Sequence, residues 1–477
     1  MSKYDANIVV IGAGSAGLVS AYIAAAVKAK VILIERHKMG GDCLNTGCVP
    51  SKALLRSAKI ANYMRRAEEF GIERVPVKPM FNKVMQRVQK VIETIEPHDS
   101  IERYTELGVD CVTGEATIID KHTVRVGDRE ITAKNIIIAA GARPFVPPIP
   151  GLDKISYLTS DNIWQLKEQP KRLVVLGGGP IGCELSQAFS KLGSNVTIVE
   201  MMDQLMGRED SDVAELITNN FEESGIKVLT KHKAINVSNN GEKILQCETE
   251  SGKVEIPFDE MLVAVGRRAN SDGMGLEKLG IKLRRNGTIE TDDYLRTAVP
   301  NIFACGDITG PYQFTHTAAH QAWFAVVNAL FGFAKKFKVD YRVIPWATFT
   351  MPEVARVGLN ETDAKQQGID YEVTRYGIDD LDRAIADGEA HGFVKVITPR
   401  GKDTVLGVTI VGHHAGDLIA EYVLAMKYKL GLNKILGTIH LYPSLAESNK
   451  FVAGNWKREH QPHTLLKWVE KFHNWRR

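Results

Sequence analysis

The N-terminal part of the chain alternates between apolar runs and a glycine-rich turn. Residues 8–11 are all aliphatic, which predicts a buried strand, and Gly12, Gly14 and Gly17 follow directly. An alanine-rich helix and a second aliphatic run ending at Glu35 come next. This order predicts a unit in which the helix N-terminus binds the pyrophosphate of a dinucleotide and the carboxylate accepts hydrogen bonds from a ribose.

The same arrangement recurs further along the chain. Residues 173–176 precede Gly177, Gly179 and Gly182, and another aliphatic run ends at Glu200, at the same distance past the third glycine as in the first unit. A single glycine pattern is weak evidence for nucleotide binding. Two copies with matching carboxylates predict two separate dinucleotide sites.

Between the two units the pattern changes from helical to strand-like. Residues 52–107 have a mostly helical pattern, strand patterns follow at residues 112–124, and residues 135–140 form a buried run that ends in a turn at Gly141. The proline-rich residues 147–151 stiffen the exit from this region. They predict a crossing from one domain to the next.

Later segments close the second unit and return to the first. One strand is predicted over residues 261–268, which include Gly266, and another over residues 301–307, which end at Asp307. By pattern alone, this aspartate belongs to a strand-ending turn. Beyond about residue 341, strand patterns rich in Thr, Val and Gly alternate with helices, which predicts a further domain of α+β type.

Length and composition exclude several classes of protein. At 477 residues the chain is too long for one core and suggests about three domains. Its 60 basic and 57 acidic residues nearly cancel, so no overall field attracts nucleic acid. Six cysteines in so long a chain do not form a secreted disulfide framework, and the N-terminus lacks a signal-peptide pattern. We therefore expect a cytoplasmic protein that binds no nucleic acid.

Two cysteines that follow the first unit carry the candidate chemistry. Residues five apart on a regular helix are displaced by about 7.5 Å along its axis, whereas disulfide-bonded Cα atoms lie at most roughly 6.8 Å apart. If Cys43 and Cys48 bridge, the backbone between them must leave the helix, and Thr46 and Gly47 suit such a break. A dithiol beside a dinucleotide site predicts redox chemistry. The alternative is a pair of buried cysteines that never react.

The segment GGDCLNTGCVPSK, residues 40–52, resembles the active-site signature of the FAD-linked pyridine nucleotide–disulfide oxidoreductases. This is the family of dihydrolipoamide dehydrogenase, glutathione reductase and mercuric reductase. Residues 301–307 resemble its second FAD motif, and residues 347–355 resemble the start of its C-terminal dimerisation domain. The resemblance runs from residue 7 to about residue 449. It implies a flavoenzyme that passes electrons between NAD(H) and a small-molecule or protein-bound disulfide or dithiol.

The resemblance also assigns roles to individual residues. Cys43 would exchange with the substrate, Cys48 would contact the flavin, and Lys52 and Glu184 would form an ion pair beside the flavin and nicotinamide. For the latter two, the alternative is an ordinary Lys and Glu on helix surfaces. The residues implied in FAD binding are Gly12, Gly14, Gly17, Glu35, Gly41, Lys52, Gly141 and Asp307. The residues implied in NAD binding are Gly177, Gly179, Gly182, Glu200 and Gly266.

Glu200 bears on the choice of nicotinamide cofactor. A carboxylate at this place pairs with a free ribose 2′-hydroxyl and repels a 2′-phosphate. We therefore expect NAD(H) rather than NADP(H). Arg208 is the one counter-argument, but it lies past the strand end and is expected to face solvent.

The largest departure from the family lies in residues 438–447. Members usually carry a histidine followed by proline and then a glutamate, and this His–Glu pair of one subunit of the homodimer serves as base at the thiols of the other. Here Tyr442 stands in the place of the histidine, and an unperturbed tyrosine with a pKa of about 10 is a poor base at neutral pH. In an extended segment His440 would project from the same face and replace the base, oriented or not by Glu447. Alternatively, the site needs no imidazole.

Other functions remain open in the sequence. A mercuric reductase-like metal-ion reductase fits the tyrosine, but no cysteine follows Cys305, so the C-terminal pair with which mercuric reductases capture the ion is missing. A flavin-binding electron-transfer protein would keep the fold without disulfide turnover, and a transhydrogenase would need no thiols. No bound metal is expected, because His413 and His414 lack ligand spacing. The remaining cysteines are expected to be small buried hydrophobes: Cys111, Cys183, Cys247 and Cys305.

Together these patterns predict an α/β protein. It has two Rossmann-like dinucleotide-binding domains, for FAD and NAD, the second inserted in the first, and an α+β C-terminal dimerisation domain. The predicted parts are residues 1–150 and 271–340 for the FAD domain, 151–270 for the NAD(P)H domain, 341–455 for the dimerisation domain and 456–477 for a tail.

The tail has the pattern of a basic amphipathic helix. Apolar residues recur at helical spacing among lysines and arginines; they are Leu465, Trp468, Val469, Phe472 and Trp475. We expect this apolar stripe to pack on the protein's own dimerisation domain. The alternatives are contact with a membrane surface or cover over the substrate entrance.

Overall fold

The computed structural model describes residues 3–477. Its strands are β1 (Ala6–Ile11), β2 (Val31–Glu35), β3 (Val109–Thr113), β4 (Ala116–Asp120), β5 (Thr123–Val126), β6 (Arg129–Ile138), β7 (Ala142–Pro144), β8 (Arg172–Leu176), β9 (Asn195–Val199), β10 (Lys227–Leu229), β11 (Lys233–Asn239), β12 (Lys243–Thr249), β13 (Gly252–Phe258), β14 (Glu260–Val263), β15 (Arg267–Ala269), β16 (Ile302–Ala304), β17 (Pro345–Thr348), β18 (Glu353–Gly358), β19 (Tyr371–Gly377), β20 (Phe393–Pro399) and β21 (Gly407–Gly412). Its α-helices are α1 (Ser15–Ala26), α2 (Gly41–Asn45), α3 (Cys48–Arg65), α4 (Phe81–Ile95), α5 (Ile101–Glu106), α6 (Pro180–Leu192), α7 (Ser211–Glu223), α8 (Thr315–Phe331), α9 (Glu361–Gln366), α10 (Asp382–Ala386), α11 (Ala415–Lys427), α12 (Leu432–Leu436), α13 (Glu447–Glu459) and α14 (His463–Arg476).

The chain divides into two compact units. The first unit takes the chain as far as Arg66, together with Arg74–Asp203 and Gly225–Asp340. The second unit takes Ala67–Glu73, Gln204–Ser224 and Tyr341–Arg477.

A seven-stranded sheet forms the centre of the first unit. Strands β3, β2, β1, β6 and β16 run parallel, and β5 and β4 continue from β6 as an antiparallel meander. The aliphatic residues of the parallel strands are buried, among them Val9, Ile32 and Ile136. A parallel sheet covered on both faces needs such unbroken aliphatic runs. The carboxyl ends of these strands lead into the glycine turn, the cysteine segment and Asp307.

A smaller parallel sheet in the same unit repeats this design. Its strand order is β10, β9, β8, β14, and α6 packs on it. The unit also contains a three-stranded antiparallel sheet of β11, β12 and β13 and a two-stranded pairing of β7 with β15. Apolar side chains of both the parallel and the three-stranded sheet share one core, to which Val174, Leu245 and Phe258 belong.

The second unit is built on a five-stranded antiparallel sheet. Its strand order is β17, β18, β21, β20, β19, and α11 and α13 pack against it. The core between sheet and helices includes Val396, Ile410 and Tyr422. Trp456 of α13 also lies in this core and donates a hydrogen bond from Nε1 to the Glu372 carboxylate. This tryptophan therefore belongs to the packed helix α13 rather than to an exposed tail.

One predicted strand is wrong. Residues 261–268 form two strands, β14 and β15, with a break at residues 264–266. Gly266 has a φ of +146°, a backbone conformation that continuous strand pairing does not allow. The break lets β14 pair in parallel with β8, while β15 turns to pair with β7.

The terminal helix also differs from its prediction. It forms over α14, as the sequence pattern indicates, but every residue in it is exposed. The expected packing of its apolar stripe on the protein's own dimerisation domain is therefore wrong for this chain.

Candidate active site

The first glycine turn brings three backbone segments into contact. A Cβ atom on Gly17 would lie 1.7 Å from the carbonyl oxygen of Gly12, so helix α1 can approach β1 only with glycine here. A Cβ atom on Gly41 would lie 2.6 Å from the Cα of Gly14. The turn after β1 and the start of α2 therefore meet backbone to backbone. The first N–H groups of α1 form the positive end of a helix, which suits a pyrophosphate.

Glu35 is held at the end of β2 by the backbone. Its carboxylate accepts hydrogen bonds from Ala13 N (2.7 Å) and His37 N (2.8 Å). A cavity of about 450 Å³ opens beside it, lined also by Met39, Glu102 and Val112. The size of this cavity and its mixture of apolar and carboxylate groups fit the adenosine part of a dinucleotide. The first unit thus offers a place for FAD.

The second glycine turn has the same construction. A Cβ atom on Gly182 would lie 1.9 Å from the carbonyl oxygen of Gly177, and nothing obstructs Gly179. Glu200 accepts hydrogen bonds from Gly178 N (2.6 Å) and Met202 N (2.8 Å). Glu35 is held in the same way beside the first glycine turn. The two turns and their carboxylates are therefore built alike.

Asp307 lies at the carboxyl end of β16, in the first unit. Burial raises the pKa of its carboxyl to about 6, although the positive charge of Arg267 acts to lower that pKa. Arg267 pairs with Asp307 (Nε to Oδ2, 3.8 Å) and with Asp42, which directly precedes Cys43. Gly141, also in the first unit, has a φ of +67° and open space where a Cβ would be. Arg267 was not singled out from the sequence, because nothing local to it indicates a carboxylate partner on a distant segment.

The two cysteines lie on consecutive helices, the first short and the second long. Cys43 lies in α2 and Cys48 is the first residue of α3. Between them, Thr46 and Gly47 have non-helical backbone angles, which confirms that the chain leaves the helix here. Trp164 Nε1 donates a hydrogen bond to the carbonyl oxygen of Thr46 (2.8 Å) and fixes this link.

The two thiols have opposite acidities. A hydrogen bond from the Cys43 thiol lowers the pKa of Cys48 to about 5, with further lowering by Thr315 and Lys52. The same contact and burial raise the pKa of Cys43 far above its usual range. Position at the N-terminus of the long helix α3 also favours a thiolate at Cys48. The reduced pair thus holds its proton on Cys43 and its negative charge on Cys48.

Thr315 is a contact of this pair that sequence reasoning missed. Its Oγ1 lies 3.5 Å from Cys48 Sγ, within hydrogen-bond distance for sulfur. Thr315 is the first residue of α8, far from the cysteines in sequence. No local pattern marks a threonine as the partner of a distant thiol.

Lys52 and Glu184 form the ion pair that the resemblance implies. Lys52 Nζ donates to Glu184 Oε2 at 2.8 Å, and the Glu184 side chain is only 7% exposed. Helices α3 and α6, which carry the two residues, pack on each other. Lys52 lies one helical turn after Cys48 and lowers the pKa of that thiol.

The candidate base residues near the C-terminus have separate hydrogen-bond partners. His440 Nε2 contacts the carboxylate of Glu421 at 3.0 Å, whereas the Glu447 carboxylate accepts a hydrogen bond from Ser444 N. Tyr442 is 66% exposed and donates from its hydroxyl to Asp382 (3.0 Å). Glu447 therefore does not orient His440 in this chain. His440 and Tyr442 have separate carboxylate partners.

The other cysteines and histidines form no further centre. Cys183, Cys247 and Cys305 are buried as expected, whereas Cys111 is half-buried and lines the cavity beside Glu35. Across residues 3–477, no three side chains of His, Cys, Asp or Glu are grouped as a metal site would require. No helix in the same span has the length and hydrophobicity to cross a bilayer.

Comparison with known proteins agrees with this geometry. Residues 6–322 match the family described as pyridine nucleotide-disulphide oxidoreductase, and residues 344–452 match the dimerisation domain of that family. Dihydrolipoyl dehydrogenase from Chlamydia trachomatis is 37% identical over 447 residues, which cover 92% of this chain and 94% of the relative. Mercuric reductase from Staphylococcus aureus is 34% identical over 450 residues, which cover 94% of this chain and 82% of the relative.

Solved structures give the same result. The HOCl-induced flavoprotein disulfide reductase RclA from Escherichia coli superimposes with a TM-score of 0.83 at 28% identity, covering 94% of this chain and 99% of RclA. LpdA from Mycobacterium tuberculosis superimposes with a TM-score of 0.85 at 27% identity, covering 94% of this chain and 98% of LpdA. The matched dimerisation domain supports assembly as a homodimer. The chain belongs to the pyridine nucleotide-disulphide oxidoreductases, the FAD-dependent and NAD(P)-binding enzymes of this fold.

Proposed function

We propose that this enzyme exchanges electrons between NADH and a small-molecule or protein-bound disulfide or dithiol, in the manner of dihydrolipoamide dehydrogenase. The observation that carries this proposal is the different protonation of the two cysteines in the reduced pair. The proton lies on Cys43 and the charge on Cys48, next to the Lys52–Glu184 ion pair. Two inert cysteines would both be buried, whereas Cys48 is exposed.

FAD and NADH fit the residues of the two glycine turns. The first turn, Glu35 with its cavity, and Asp307 would hold FAD, and the second turn with Glu200 would hold NADH. When bound, FAD supplies two-electron exchange between the nicotinamide and the cysteine pair. Lys52, held by Glu184, keeps a positive charge one helical turn from Cys48.

Thiol exchange then proceeds on the protein's own sulfur atoms. To reduce a substrate disulfide, the Cys43 thiolate attacks one substrate sulfur, forms a mixed disulfide and releases the first substrate thiolate. The Cys48 thiolate attacks Cys43 Sγ, forms the Cys43–Cys48 disulfide and releases the second substrate thiolate. The substrate gains two electrons and the cysteine pair loses two. Oxidation of a dithiol follows the same steps in reverse.

The proton on Cys43 is the obstacle to this exchange. Because Cys48 already bears the negative charge, Cys43 must lose its proton to a base before it attacks. In the family, the base is a histidine of the partner subunit. Tyr442 occupies that place here, and its contact with Asp382 raises its pKa further. We infer that His440 serves as the base, or that the natural acceptor does not require one.

A second candidate function, reduction of a metal ion at the two sulfurs, is favoured by this same tyrosine. One relative is a mercuric reductase, and RclA has been solved as a Cu(II) complex. Thiolate sulfur prefers soft metal ions. A metal ion that binds a thiol displaces its proton, so this function requires no protein base. In this function the ion is the substrate, and its binding to Cys43 would displace the thiol proton to solvent.

The test of the main proposal is an anaerobic titration of the purified flavoprotein with NADH. We expect the first two electrons to yield a long-wavelength absorption band, because the Cys48 thiolate would contact bound FAD that is still oxidised while the electrons rest on the thiols. The band should vanish on addition of a substrate disulfide. Direct bleaching of the flavin with no such band would refute coupling between the cysteine pair and the cofactor.

We also propose that NADH is preferred over NADPH because of Glu200. Glu200→Gln should raise the ratio of kcat/KM for NADPH to that for NADH by at least about tenfold, because like charges facing each other across a binding site cost several kcal/mol. Steady-state kinetics with both cofactors measures this ratio. Arg208→Gln is the control and should leave it unchanged, since Arg208 is exposed. A fall in NADPH use in this control would assign the 2′-phosphate to Arg208 instead.

We further infer that the protein works in a reducing compartment such as the cytoplasm. The four cysteines outside the reactive pair are free thiols. Reduced, unpaired cysteines are typical of cytosolic proteins. The active site would be completed by the second subunit of the homodimer, as in the family.

A further inference from the structure

Helix α14 exposes large apolar side chains to solvent. Trp468 is 68% exposed and Trp475 is 81% exposed, and Leu465 and Phe472 are also exposed. The core residues of the second unit, by contrast, are buried. A contiguous exposed patch of this kind marks an interaction surface.

The apolar residues occupy one face of α14. Leu465, Trp468, Val469, Phe472 and Trp475 recur at spacings of three and four, which places them along a single stripe of a helix. Basic side chains lie over two aromatic rings of this stripe. Lys471 Nζ is 5.4 Å from the ring of Trp468, and the guanidinium of Arg476 is 5.6 Å from the ring of Phe472. Such side chains can cover apolar surface while their charged ends reach outward.

The helix lies outside the dimerisation domain that the family shares. The match to that domain ends at residue 452, whereas α14 begins at His463. The preceding helix α13 is anchored in the core through Trp456. A short link containing Pro462 separates the two helices. Helix α14 thus lies beyond the part of the chain that matches the family's dimerisation domain.

We propose that α14 binds to the surface of a membrane that contains anionic lipid. Its lysines and arginines are Lys467, Lys471 and Arg476, with Arg477 directly after its end, against the single acidic residue Glu470. Lys and Arg on the polar face, with Trp, Phe and Leu on the other, are the features of a helix that lies in the plane of the interface. Trp prefers the headgroup region because its ring is amphipathic. The helix spans 14 residues and is too short to cross a bilayer.

The charge of the helix argues against a second copy as its partner. Two α14 helices packed face to face would bring eight basic side chains together with only two carboxylates, a like-charge arrangement that opposes association. An anionic lipid surface has the opposite sign and attracts each Lys or Arg.

The experiment uses the full-length, FAD-loaded protein and sedimentation with lipid vesicles. We expect binding to vesicles of phosphatidylcholine with phosphatidylserine, and much weaker binding to phosphatidylcholine alone. Lys467→Gln with Lys471→Gln should weaken binding to the anionic vesicles by about 25-fold, about fivefold for each charge removed. Raising the salt to about 1 M should weaken wild-type binding, because charges are then screened within about 3 Å.

Two further variants separate a lipid contact from a merely basic surface. Trp468→Ala with Phe472→Ala should abolish binding to both kinds of vesicle, because the apolar anchor is lost while helical content is retained, as circular dichroism would verify. Lys253→Gln with Lys278→Gln removes two exposed charges elsewhere and should leave binding unchanged. The flavin spectrum and NADH turnover of each variant establish that the enzyme is intact.

Three results would overturn the proposal. Wild-type protein that sediments with neither kind of vesicle has no membrane affinity. Equal binding of the wild type and the Trp468→Ala, Phe472→Ala variant would mean that α14 is not the anchor. If deleting residues 461–477 lowers the oligomeric state in light scattering while vesicle binding is absent, the partner of α14 is a second copy of the chain.

Discussion

Cys43→Ala is expected to raise the pKa of Cys48 above its wild-type value of about 5 and to lower disulfide turnover by at least about 10³-fold. Turnover falls because the thiol that attacks the substrate is gone. The pKa rises because the hydrogen bond from the Cys43 thiol is the largest stabilising contact of the Cys48 thiolate. Thr315 and Lys52 still favour the thiolate in the variant. Burial still raises the pKa, however, and the lowering contribution of the Cys43 thiol is gone.

The measurement is a pH titration of the long-wavelength thiolate band in the FAD-loaded protein. A thiolate is present above its pKa and is lost as the pH falls through it. A raised pKa therefore moves the midpoint of the titration to higher pH. In the two-electron-reduced wild type the band should persist until the pH falls to about 5.

Cys43→Ser is the matched control for this titration. It also removes the attacking sulfur, so turnover should be lost equally. Its hydroxyl can still donate a hydrogen bond to Cys48, however, and the midpoint should lie below that of Cys43→Ala. Identical midpoints for the two variants would mean that the N-terminus of α3 and Lys52, rather than the neighbouring thiol, set the acidity of Cys48.

Tyr442→His should raise the turnover of dihydrolipoamide by about 10²-fold or more, the usual contribution of a positioned general base. Cys43 retains its proton in the reduced pair, and an imidazole with a pKa of about 6.5 removes a proton at neutral pH far better than a tyrosine does. The side chain of Tyr442 is exposed and its hydroxyl donates to Asp382 at the surface, so the substitution should leave the fold intact. Glu447 is already present to orient the new histidine.

The measurement compares kcat for dihydrolipoamide and for Hg(II) in the wild type, Tyr442→His and Tyr442→Phe. A large gain with dihydrolipoamide in the histidine variant means that the native site is built for another acceptor. Loss of Hg(II) turnover in Tyr442→Phe would then assign the hydroxyl to metal handling. If histidine brings no gain and His440→Gln abolishes dihydrolipoamide turnover, His440 is the base and the expectation for Tyr442 is wrong.

Features that depend on local backbone chemistry could be predicted from the sequence. The two glycine turns, their flanking aliphatic strands and the non-helical link at Thr46 and Gly47 each follow from residues close together in the chain. The split of residues 261–268 into β14 and β15 was missed. An unbroken apolar run does not reveal that one glycine within it adopts a positive φ.

Contacts between distant segments could not be predicted. Thr315 reaches Cys48, and Glu421 rather than Glu447 reaches His440. In each case the partner is a common polar residue on a helix, with nothing nearby in the sequence to mark it. The resemblance to a family implied the Lys52–Glu184 pair, and the two side chains are hydrogen-bonded in this chain. It gave no guidance at residues 438–447, where this chain departs from the family pattern.

The unequal acidities of Cys43 and Cys48 also determine how the redox equilibrium responds to pH. Above pH 5 or so the reduced pair holds a single proton, so its two-electron midpoint potential falls by about 30 mV per pH unit. A substrate dithiol with unperturbed thiols takes up two protons, and its potential falls by about 60 mV per pH unit below its pKa of about 8.5. The equilibrium constant between enzyme and substrate therefore changes about tenfold with each pH unit. Alkaline conditions favour oxidation of the dithiol and acidic conditions favour reduction of the disulfide, so the pH of the compartment helps to set the direction of electron flow.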